Sequence, residues 1–520
     1  MLCFVYFRLL SQLFNTGDMK KIISITLLLA GMFMNACLVT AQTKTSKSRT
    51  IVTTDGEVDD QDSFLRLLLY ANEFNIEGLV YSSSQWHYKG DGKGTSFTSE
   101  MDMTKSLYGT RTELRWPGTD WMQGFIEKYA LVYPNLLKHD KNYPTPQYLK
   151  SIIKTGNIDF EGEMDHNSEG SDYIKSILLD GKPGLVYLQI WGGTNTVARA
   201  LKSIEDQYKG KTEWQRIYKK VSHKAILYTV LDQDACYKKY VATNWPDIRV
   251  MYNSNQFWCL AYPWTRFVPA ELQPYFRGKW FEENIKFNHG PLLSYYFLWG
   301  DGQKLAGDAE HTQGDTAEAV KAGMGKYDFL SEGDSPAFFY LINVGLRNIE
   351  DASYGGWGGR MNKSATNPHR WEDGKDAADY NPYTKKEDRA YPQTRWIDVL
   401  QNDFAARAGW CVKDYKQANH APVVKLNHAG NITAKPGAVV QLSGIATDPD
   451  GNKLNYHWWQ YGEVDTYAGE IDIQNADNSN ASFTVPADAK PGNNIHVILE
   501  VKDNGTPQLT RYQRVIVTVK

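Results

Sequence analysis

Short apolar segments that alternate with helical stretches dominate the sequence between residues 50 and 252. The segment Thr50–Thr53 precedes a helical stripe of leucines between residues 63 and 74, and Ile76–Tyr81 follows as a second apolar segment. Three more apolar segments continue the series, at residues 184–190, 225–230 and 248–252. Because parallel strands need a long crossover, usually a helix, this repeat predicts an α/β fold of Rossmann type, with a mostly parallel sheet flanked by helices. Ligands of such sheets bind at the carboxyl ends of the strands.

The sequence pattern changes near residue 419. Short segments of alternating hydrophobicity follow, and the turn sequences at Asp448–Asn452 and Asp503–Pro507 separate them. About a hundred residues of this kind predict a C-terminal Ig-like β-sandwich. We therefore expect residues 1–41 to be upstream residues and a signal peptide, 42–418 the α/β domain, and 419–520 the sandwich. A chain that ends near Lys416 is expected to fold without the sandwich.

The first residues have the pattern of an export signal. Met19 precedes two lysines and an apolar run, and small residues follow up to Ala41. This pattern predicts a secretory signal peptide that starts at Met19 and is cleaved after Ala41. A lipoprotein cysteine at Cys37 is the alternative, and both predict a secreted or periplasmic protein. The later sequence has no apolar stretch of about 18 residues, so no transmembrane anchor is expected.

Composition excludes several other classes of function. The 57 basic residues nearly balance 60 acidic ones, so no long-range attraction to nucleic acid is expected. The five cysteines form no CxxC pair, and zinc-protease, serine-hydrolase and P-loop motifs are absent from the sequence. Aromatic residues are abundant, with 16 Trp and 32 Tyr, which suits stacking on sugars or bases but also an ordinary core.

The strongest signal is the acidic segment Thr53–Asp62, TTDGEVDDQD. It carries five carboxylates within eight residues, directly after the first predicted strand. Such crowding is unfavourable unless a cation is bound, and oxygen ligands at this density suit Ca²⁺ or Mg²⁺. A sharp turn at Gly56 would let the carboxylates converge. The alternative is that the acids only charge the first turn of the following helix, where carboxylates are favoured.

This segment resembles the Asp-x-Asp-x-x-x-Asp-Asp hallmark of the calcium-dependent nucleoside hydrolases. Asp55, Asp59 and Asp60 match its last three acids, and its first acid falls on Thr53. The resemblance is closer to the nucleoside hydrolase-like proteins called cellulose-binding, which pair this domain with an Ig-like one. Three further segments carry that closer resemblance: His289–Leu292, Glu332–Pro336 and Tyr354–Arg360. Trp191–Thr196 resembles the turn of the calcium-dependent hydrolases whose threonine carbonyl binds the metal.

The resemblance implies a Ca²⁺ site and a general base. The implied metal ligands are Asp55, Asp59, Asp60, Asp334 and the backbone carbonyl of Thr194. Asp55 would take a proton from the water that attacks the anomeric carbon. The family's leaving-group histidine falls on Gly333, so His289 is expected as a catalytic replacement, although an ordinary histidine would explain it equally.

Seven further residues are candidates for substrate contact through stacking or hydrogen bonds: Glu57, Trp86, His87, Asn195, Asp232, Trp357 and Arg360. Trp86 and His87 could instead belong to an ordinary surface loop, Asp232 to a polar strand end, and Trp357 and Arg360 to a tight glycine-rich turn. The function expected from the resemblance is hydrolysis of a glycosyl bond, either N-glycosidic or O-glycosidic. The partner would be a carbohydrate or a nucleoside-like small molecule, with polysaccharide binding through the C-terminal domain.

Two other readings remain open from the sequence. A carbohydrate-binding protein that keeps the fold without catalysis would explain the departures at Thr53 and Gly333. Glycoside hydrolysis by two carboxylates without a metal would use Glu57 or Glu332 as one partner.

Overall fold

The computed structural model describes residues 47–520, so the predicted signal peptide and Cys37 lie outside the described residues. Within them, Ser48–Lys520 forms one unit that contains both the α/β part and the C-terminal strands. None of the helices in residues 47–520 has the length and hydrophobicity needed to cross a bilayer.

The strands of the α/β part are β1 Arg49–Thr54, β2 Asn75–Tyr81, β3 Phe97–Thr98, β4 Thr110–Arg111, β5 Ile153–Thr155, β6 Val186–Ile190, β7 Ala225–Val230, β8 Arg249–Asn253, β9 Asn362–Lys363, β10 Arg370–Glu372, β11 Asp379–Asn381 and β12 Lys386–Asp388. The helices are α1 Val58–Leu69, α2 Asp102–Tyr108, α3 Trp121–His139, α4 Pro146–Ser151, α5 Glu169–Leu179, α6 Asn195–Tyr208, α7 Trp214–Lys224, α8 Ala242–Asn244, α9 Gly278–Phe281, α10 Thr316–Lys321, α11 Ser335–Phe339, α12 Tyr391–Thr394 and α13 Ile397–Trp410.

Eight strands form the main sheet, in the order β5-β2-β1-β6-β7-β8-β10-β9. All neighbouring pairs are parallel except β9 and β10. Ile51 and Val52 are both fully buried, but they belong to hydrophobic clusters on opposite faces of the sheet. Since side chains alternate along a strand, helices must cover both faces. The predicted α/β fold with a mostly parallel sheet is confirmed.

The C-terminal strands form two facing sheets of three and four strands. Their bounds are β13 Val423–Leu426, β14 Asn431–Ala434, β15 Val439–Thr447, β16 Asn455–Gln460, β17 Asn480–Thr484, β18 Asn494–Lys502 and β19 Thr510–Val519. The core between the sheets includes Leu442, Trp458, Phe483 and Val517, with the half-buried Tyr456 packed against it. The predicted Ig-like β-sandwich is confirmed as a fold.

The last strand also binds the α/β part directly. Arg514 of β19 is fully buried and donates hydrogen bonds to the carbonyls of Leu346, Tyr354 and Gly355. No carboxylate pairs with Arg514 within the described chain, and burial lowers the pKa of its guanidinium to about 10. Buried carbonyls of one part are thus satisfied by a side chain of the other, which ties the two parts together.

Aromatic and ionic contacts extend this interface. Trp396 packs edge-on against Tyr512, with ring centres 5.5 Å apart. The hydroxyl of Tyr461 donates to Asp379 at 2.7 Å, and Arg511 pairs with Asp403 at 2.9 Å.

Candidate functional site

The acidic segment turns sharply at the carboxyl end of β1. Gly56 has a φ of +81°, and a methyl group on its Cα would lie 2.6 Å from Pro117 and 2.8 Å from the indole nitrogen of Trp121. Glycine adopts this left-handed conformation without strain and fits the narrow space. The turn lets helix α1 begin at Val58, so that its first-turn carboxylates face the end of the sheet.

Three carboxylates converge beyond this turn. One carboxylate oxygen from each of Asp59, Asp60 and Asp334 lies within 4.8 Å of the others. Asp334 arrives from the opposite side, directly before helix α11. The pKa of all three carboxyl groups is raised well above the ordinary value, first by burial and then by the neighbouring carboxylates.

These residues fit a hard divalent cation. Asp59 and Asp60 lie in the first turn of α1, where the helix dipole favours them, but burial and mutual repulsion still oppose their ionisation. Beside them, Oδ2 of the buried Asp55 has no hydrogen-bond partner among the described residues. Oxygen ligands that are crowded, buried and partly unpartnered are the donor set that Ca²⁺ prefers.

His87 connects Asp55 to a second ionic group. Its Nδ1 lies 3.7 Å from Asp55 Oδ2, and its Nε2 lies 3.8 Å from Asp308 Oδ2. Burial alone would lower the pKa of His87, but Asp308 and Asp55 raise it to about 9. The nearby imidazolium outweighs the effect of burial on Asp55 and lowers the pKa of that carboxyl group. Asp55 is therefore held ionised, as a proton acceptor requires.

Arg115 and Asp308 complete this group, and neither is predicted from the sequence. The guanidinium of Arg115 donates three hydrogen bonds to Asp308, at 2.8 to 3.1 Å, and lies 3.9 Å from Glu57. Arg115 has a φ of +44°, a conformation that is uncommon for a residue with a side chain. Both residues lie in irregular segments far apart in the sequence, and no motif marks them.

A cavity of ≈ 220 Å³ opens beside the carboxylates. Its lining combines four carboxylates with five aromatic side chains. The lining residues are Glu57, Asp59, Asp60, Trp86, Arg115, Trp191, Val230, Leu231, Gln233, Phe257, Trp258, Ala261, Tyr262 and Asp334. The hydroxyl of Tyr262 donates to Glu57 at 3.0 Å and orients that carboxylate at the wall. Aromatic faces and convergent carboxylates together suit a small polar ligand with apolar faces, such as a sugar.

Gly333 lies between the acidic cluster and the aromatic lining of the cavity. A methyl group on its Cα would lie 2.8 Å from Asp59 Oδ2 and 3.5 Å from both Ala261 and Phe257. The aromatic wall and the acidic cluster occupy the space that a larger side chain at this position would need.

Several predicted site residues lie outside the cavity. The carbonyl of Thr194 accepts a hydrogen bond from Ala198 as part of the first turn of α6, and the side chain of Thr194 is fully buried. Asn195 is also buried, and its amide donates to Ser83 Oγ and to the carbonyl of Asn157, so it ties neighbouring loops together.

Asp232 and His289 also make their contacts outside the cavity. Asp232 accepts hydrogen bonds from the backbone of Tyr237 and Lys238, so it caps the turn after β7. Nδ1 of His289 donates a hydrogen bond to the carbonyl of Phe287, and His289 is absent from the cavity lining. Within the described residues, the cavity lining contains no histidine that could protonate a leaving group.

The glycine-rich segment before β9 serves the interface with the sandwich. Trp357 is buried beneath Arg511 of β19, with the guanidinium 5.5 Å from its ring centre. Arg360 pairs with Asp379 at 2.8 Å, and Asp379 also accepts a hydrogen bond from the hydroxyl of Tyr461. Among the predicted substrate contacts, Glu57 and Trp86 line the cavity and His87 lies buried beside Asp55.

Comparisons with known proteins agree with this architecture. The chain is similar, with 26% sequence identity, to a nucleoside hydrolase-related hypothetical protein from Saccharophagus degradans that is associated with carbohydrate metabolism. The match covers 91% of this chain and 100% of that one, with a TM-score of 0.67. A plant nucleoside hydrolase is more distant, with 10% identity, a TM-score of 0.31 and coverage of 69% of this chain and 99% of that one. No curated protein matches the chain.

Two family models match in the order of the two folds. Residues 439–519 match the C-terminal domain of the cellulose-binding protein Sde0182. Residues 49–361, more than half of the chain, match the nucleoside hydrolase-like domain of the cellulose-binding protein Sde182. The chain therefore belongs to the Sde182 family of cellulose-binding proteins with a nucleoside hydrolase-like domain.

Proposed function

We propose that this protein is an exported, calcium-dependent hydrolase of glycosyl bonds that acts on a single sugar unit held in the acidic and aromatic cavity. The observation that carries the proposal is the convergence of Asp59, Asp60 and Asp334 within 4.8 Å, next to the unpartnered carboxylate oxygen of Asp55. A resident Ca²⁺ would neutralise these carboxylates and make a nearby water more acidic. Asp59, Asp60 and Asp334 would hold it, with Asp55 beside them.

Asp55 supplies the general base in this proposal. Its ionised carboxylate accepts a proton from water, the water oxygen bonds to the anomeric carbon, and the bond to the leaving group breaks. The leaving group departs with the bonding electrons and gains a proton from solvent, because no histidine lines the cavity within the described residues. His87 keeps Asp55 ionised through its positive charge at 3.7 Å.

The cavity also favours certain substrates. Its volume of ≈ 220 Å³ suits one sugar unit with part of its leaving group, rather than an internal stretch of polymer. Trp86, Trp258 and Tyr262 offer faces for stacking against a sugar ring or an aromatic leaving group. The carboxylates around the cavity outnumber Arg115 and His87, so neutral substrates are favoured over phosphorylated or acidic ones.

A non-catalytic carbohydrate-binding protein is the second candidate. The family description as cellulose-binding and the glycine at position 333 favour it. In that case the sandwich or the cavity would hold a glycan without cleaving it. Whether the bond cleaved is N-glycosidic or O-glycosidic separates two forms of the first candidate.

A substrate screen tests these candidates. Purified protein is incubated with nucleosides and with aryl glycosides, with chelator and after Ca²⁺ is added back, while calorimetry measures Ca²⁺ binding. Chelator-sensitive release of the leaving group is expected, and Asp60→Asn should lose Ca²⁺ binding while Glu283→Gln, an exposed acid, should not. Ca²⁺ and glycan binding without turnover would support the second candidate, and absence of Ca²⁺ binding would overturn the proposed site.

A further inference from the structure

A second cavity lies beside the amino ends of the central strands of the main sheet, at the opposite ends of these strands from the acidic cavity. Its volume is ≈ 470 Å³, and five of its nine lining residues are basic or histidine. Lys224 lies directly before β7, Arg249 begins β8, and Gly184 and Leu185 lead into β6. The acidic cavity is at the carboxyl ends of the same strands, so the two cavities are separate sites.

Positive charge exceeds negative charge around this cavity. Asp180 is its single acidic lining residue, and that carboxylate already pairs with Lys224 and with Arg49. Glu77 pairs with Arg49 at 2.7 Å and lies 3.5 Å from Lys182. Among the described residues, Lys220 and Arg249 have no carboxylate within 4 Å, and Lys182 has only Glu77, which it shares with Arg49.

Two of the lysines bind carbonyls at the end of α5; Lys220 keeps donors free, whereas Lys224 uses all three of its donors on Ile177 and Asp180. The ammonium group of Lys220 donates to the carbonyl of Leu179 at 2.6 Å, and that of Lys224 donates to the carbonyl of Ile177 at 2.7 Å. These bonds satisfy carbonyls at the end of α5, where cations are favoured. Because an ammonium group has three N–H donors, Lys220 can still donate to a ligand.

Arg249 has no such task. Its half-buried guanidinium makes neither a hydrogen bond nor an ion pair with any other residue of the described chain, although it lines the cavity. An arginine presents five N–H donors in a fixed fork that matches the oxygens of phosphate and sulfate groups. An unpaired arginine beside Lys220, which also has no ion pair, indicates that the negative partner is a ligand.

We propose that Lys182, Lys220 and Arg249 form a binding site for a sulfate or phosphate group, at the amino ends of the strands and opposite the acidic cavity. The volume exceeds what the oxyanion alone needs, so the group is expected on a larger molecule such as a sugar. The site lies away from the catalytic carboxylates. The group it binds is therefore held there and is not cleaved.

Calorimetric titration of the full protein with inorganic sulfate and with inorganic phosphate tests the proposal, with sodium chloride at equal ionic strength as the reference. Saturable binding of at least one oxyanion is expected, and Arg249→Gln should weaken it by about tenfold or more, the usual effect of losing a charge-assisted contact. Lys219→Gln is the matched control, because Lys219 is exposed on the same helix as Lys220 and does not line the cavity. A parallel titration with glucose 6-sulfate and glucose 6-phosphate distinguishes a sulfated glycan from a phosphate ester as the source.

Two results would overturn the proposal. One is that sulfate and phosphate bind no better than chloride. The other is that Arg249→Gln binds as tightly as Lys219→Gln while both variants unfold at the temperature of the natural protein. Arg249 has no hydrogen-bond partner to lose, so the substitution is expected to fold normally.

Discussion

Gly333 lies against the carboxylate of Asp59, so closely that a methyl group on its Cα would come within 2.8 Å of Asp59 Oδ2. Gly333→Ala should therefore displace one of the three clustered carboxylates without removing it. Disturbing the support of a metal ligand typically costs 10–100-fold in affinity, so Ca²⁺ affinity should fall by about that factor. Calorimetric Ca²⁺ titration measures the change. Gly374→Ala is the control, because nothing lies within 4 Å of the added methyl group there; equal affinities for the two variants would contradict the prediction.

Asp55→Asn separates the general base from the binding of ligands. The asparagine keeps the size and one oxygen of Asp55 but cannot accept a proton from water. Loss of a general base typically costs ~10²–10⁴-fold in turnover. We expect that loss on the best substrate of the screen, while Ca²⁺ and ligand still bind. If turnover is unchanged in steady-state kinetics, Asp55 is not the base, and the two-carboxylate mechanism or the binding function takes precedence.

Removal of the sandwich should destabilise the α/β part. The sequence pattern predicts that a chain ending near Lys416 folds alone, but the interface makes the opposite outcome the expected one. Trp396 and the carbonyls bound by Arg514 would become exposed, and each fully buried large apolar side chain contributes about 1.5–3 kcal/mol. Thermal unfolding of residues 47–418 and of the full chain, with Arg511→Gln as a milder variant, tests this. Equal unfolding temperatures would show that the parts are independent.

Acid should weaken the sandwich through His496. This residue is buried, its Nδ1 accepts a hydrogen bond from Arg514 at 3.0 Å, and burial together with Arg514 lowers the pKa of His496 to about 3. The unfolded chain binds a proton at this histidine below about pH 6.5, whereas the folded chain does not until about pH 3. The stabilising contribution is therefore present above pH 6.5 and is lost as the pH falls toward 3.

His496→Asn isolates this effect, because the asparagine oxygen can accept the hydrogen bond from Arg514 but does not titrate. Denaturant unfolding between pH 7 and 4 should show a smaller loss of unfolding free energy for His496→Asn than for the natural protein. Parallel losses in the two proteins would mean that His496 does not control the acid sensitivity.

The parts of the site that lie close together in sequence could be predicted from it. Asp55, Asp59 and Asp60 follow one strand within six residues, so a single turn at Gly56 brings Asp59 and Asp60 together and leaves Asp55 beside them. Trp86 follows the neighbouring strand and reaches the cavity in the same way. The order of the motifs also predicts that Asp334 joins this group, and it converges with Asp59 and Asp60.

The other residues of the cavity are positioned by backbone geometry that short sequence motifs do not reveal. Leu231 adopts a φ of +64° at the end of β7, and Gln233 rather than Asp232 then lines the cavity. Trp258 lies in the single 3₁₀ turn Gln256–Cys259 and Tyr262 in the irregular segment after it, and neither has a periodic pattern that marks it. The glycine-rich turn around Trp357 resembles a sugar platform in sequence, but the sandwich covers it, and a local motif carries no information about a strand from another domain.

The contacts of Arg514 also constrain the order in which the chain can fold. Arg514 and Leu346, whose carbonyl it binds, are 168 residues apart in sequence. The α/β part therefore keeps unsatisfied carbonyls and an uncovered Trp396 until β19 has been synthesised and paired with β18. Contacts between such distant residues slow folding, and apolar surface that stays exposed meanwhile favours aggregation. A cell that makes this protein must keep the first four hundred residues soluble in a form that is not yet complete.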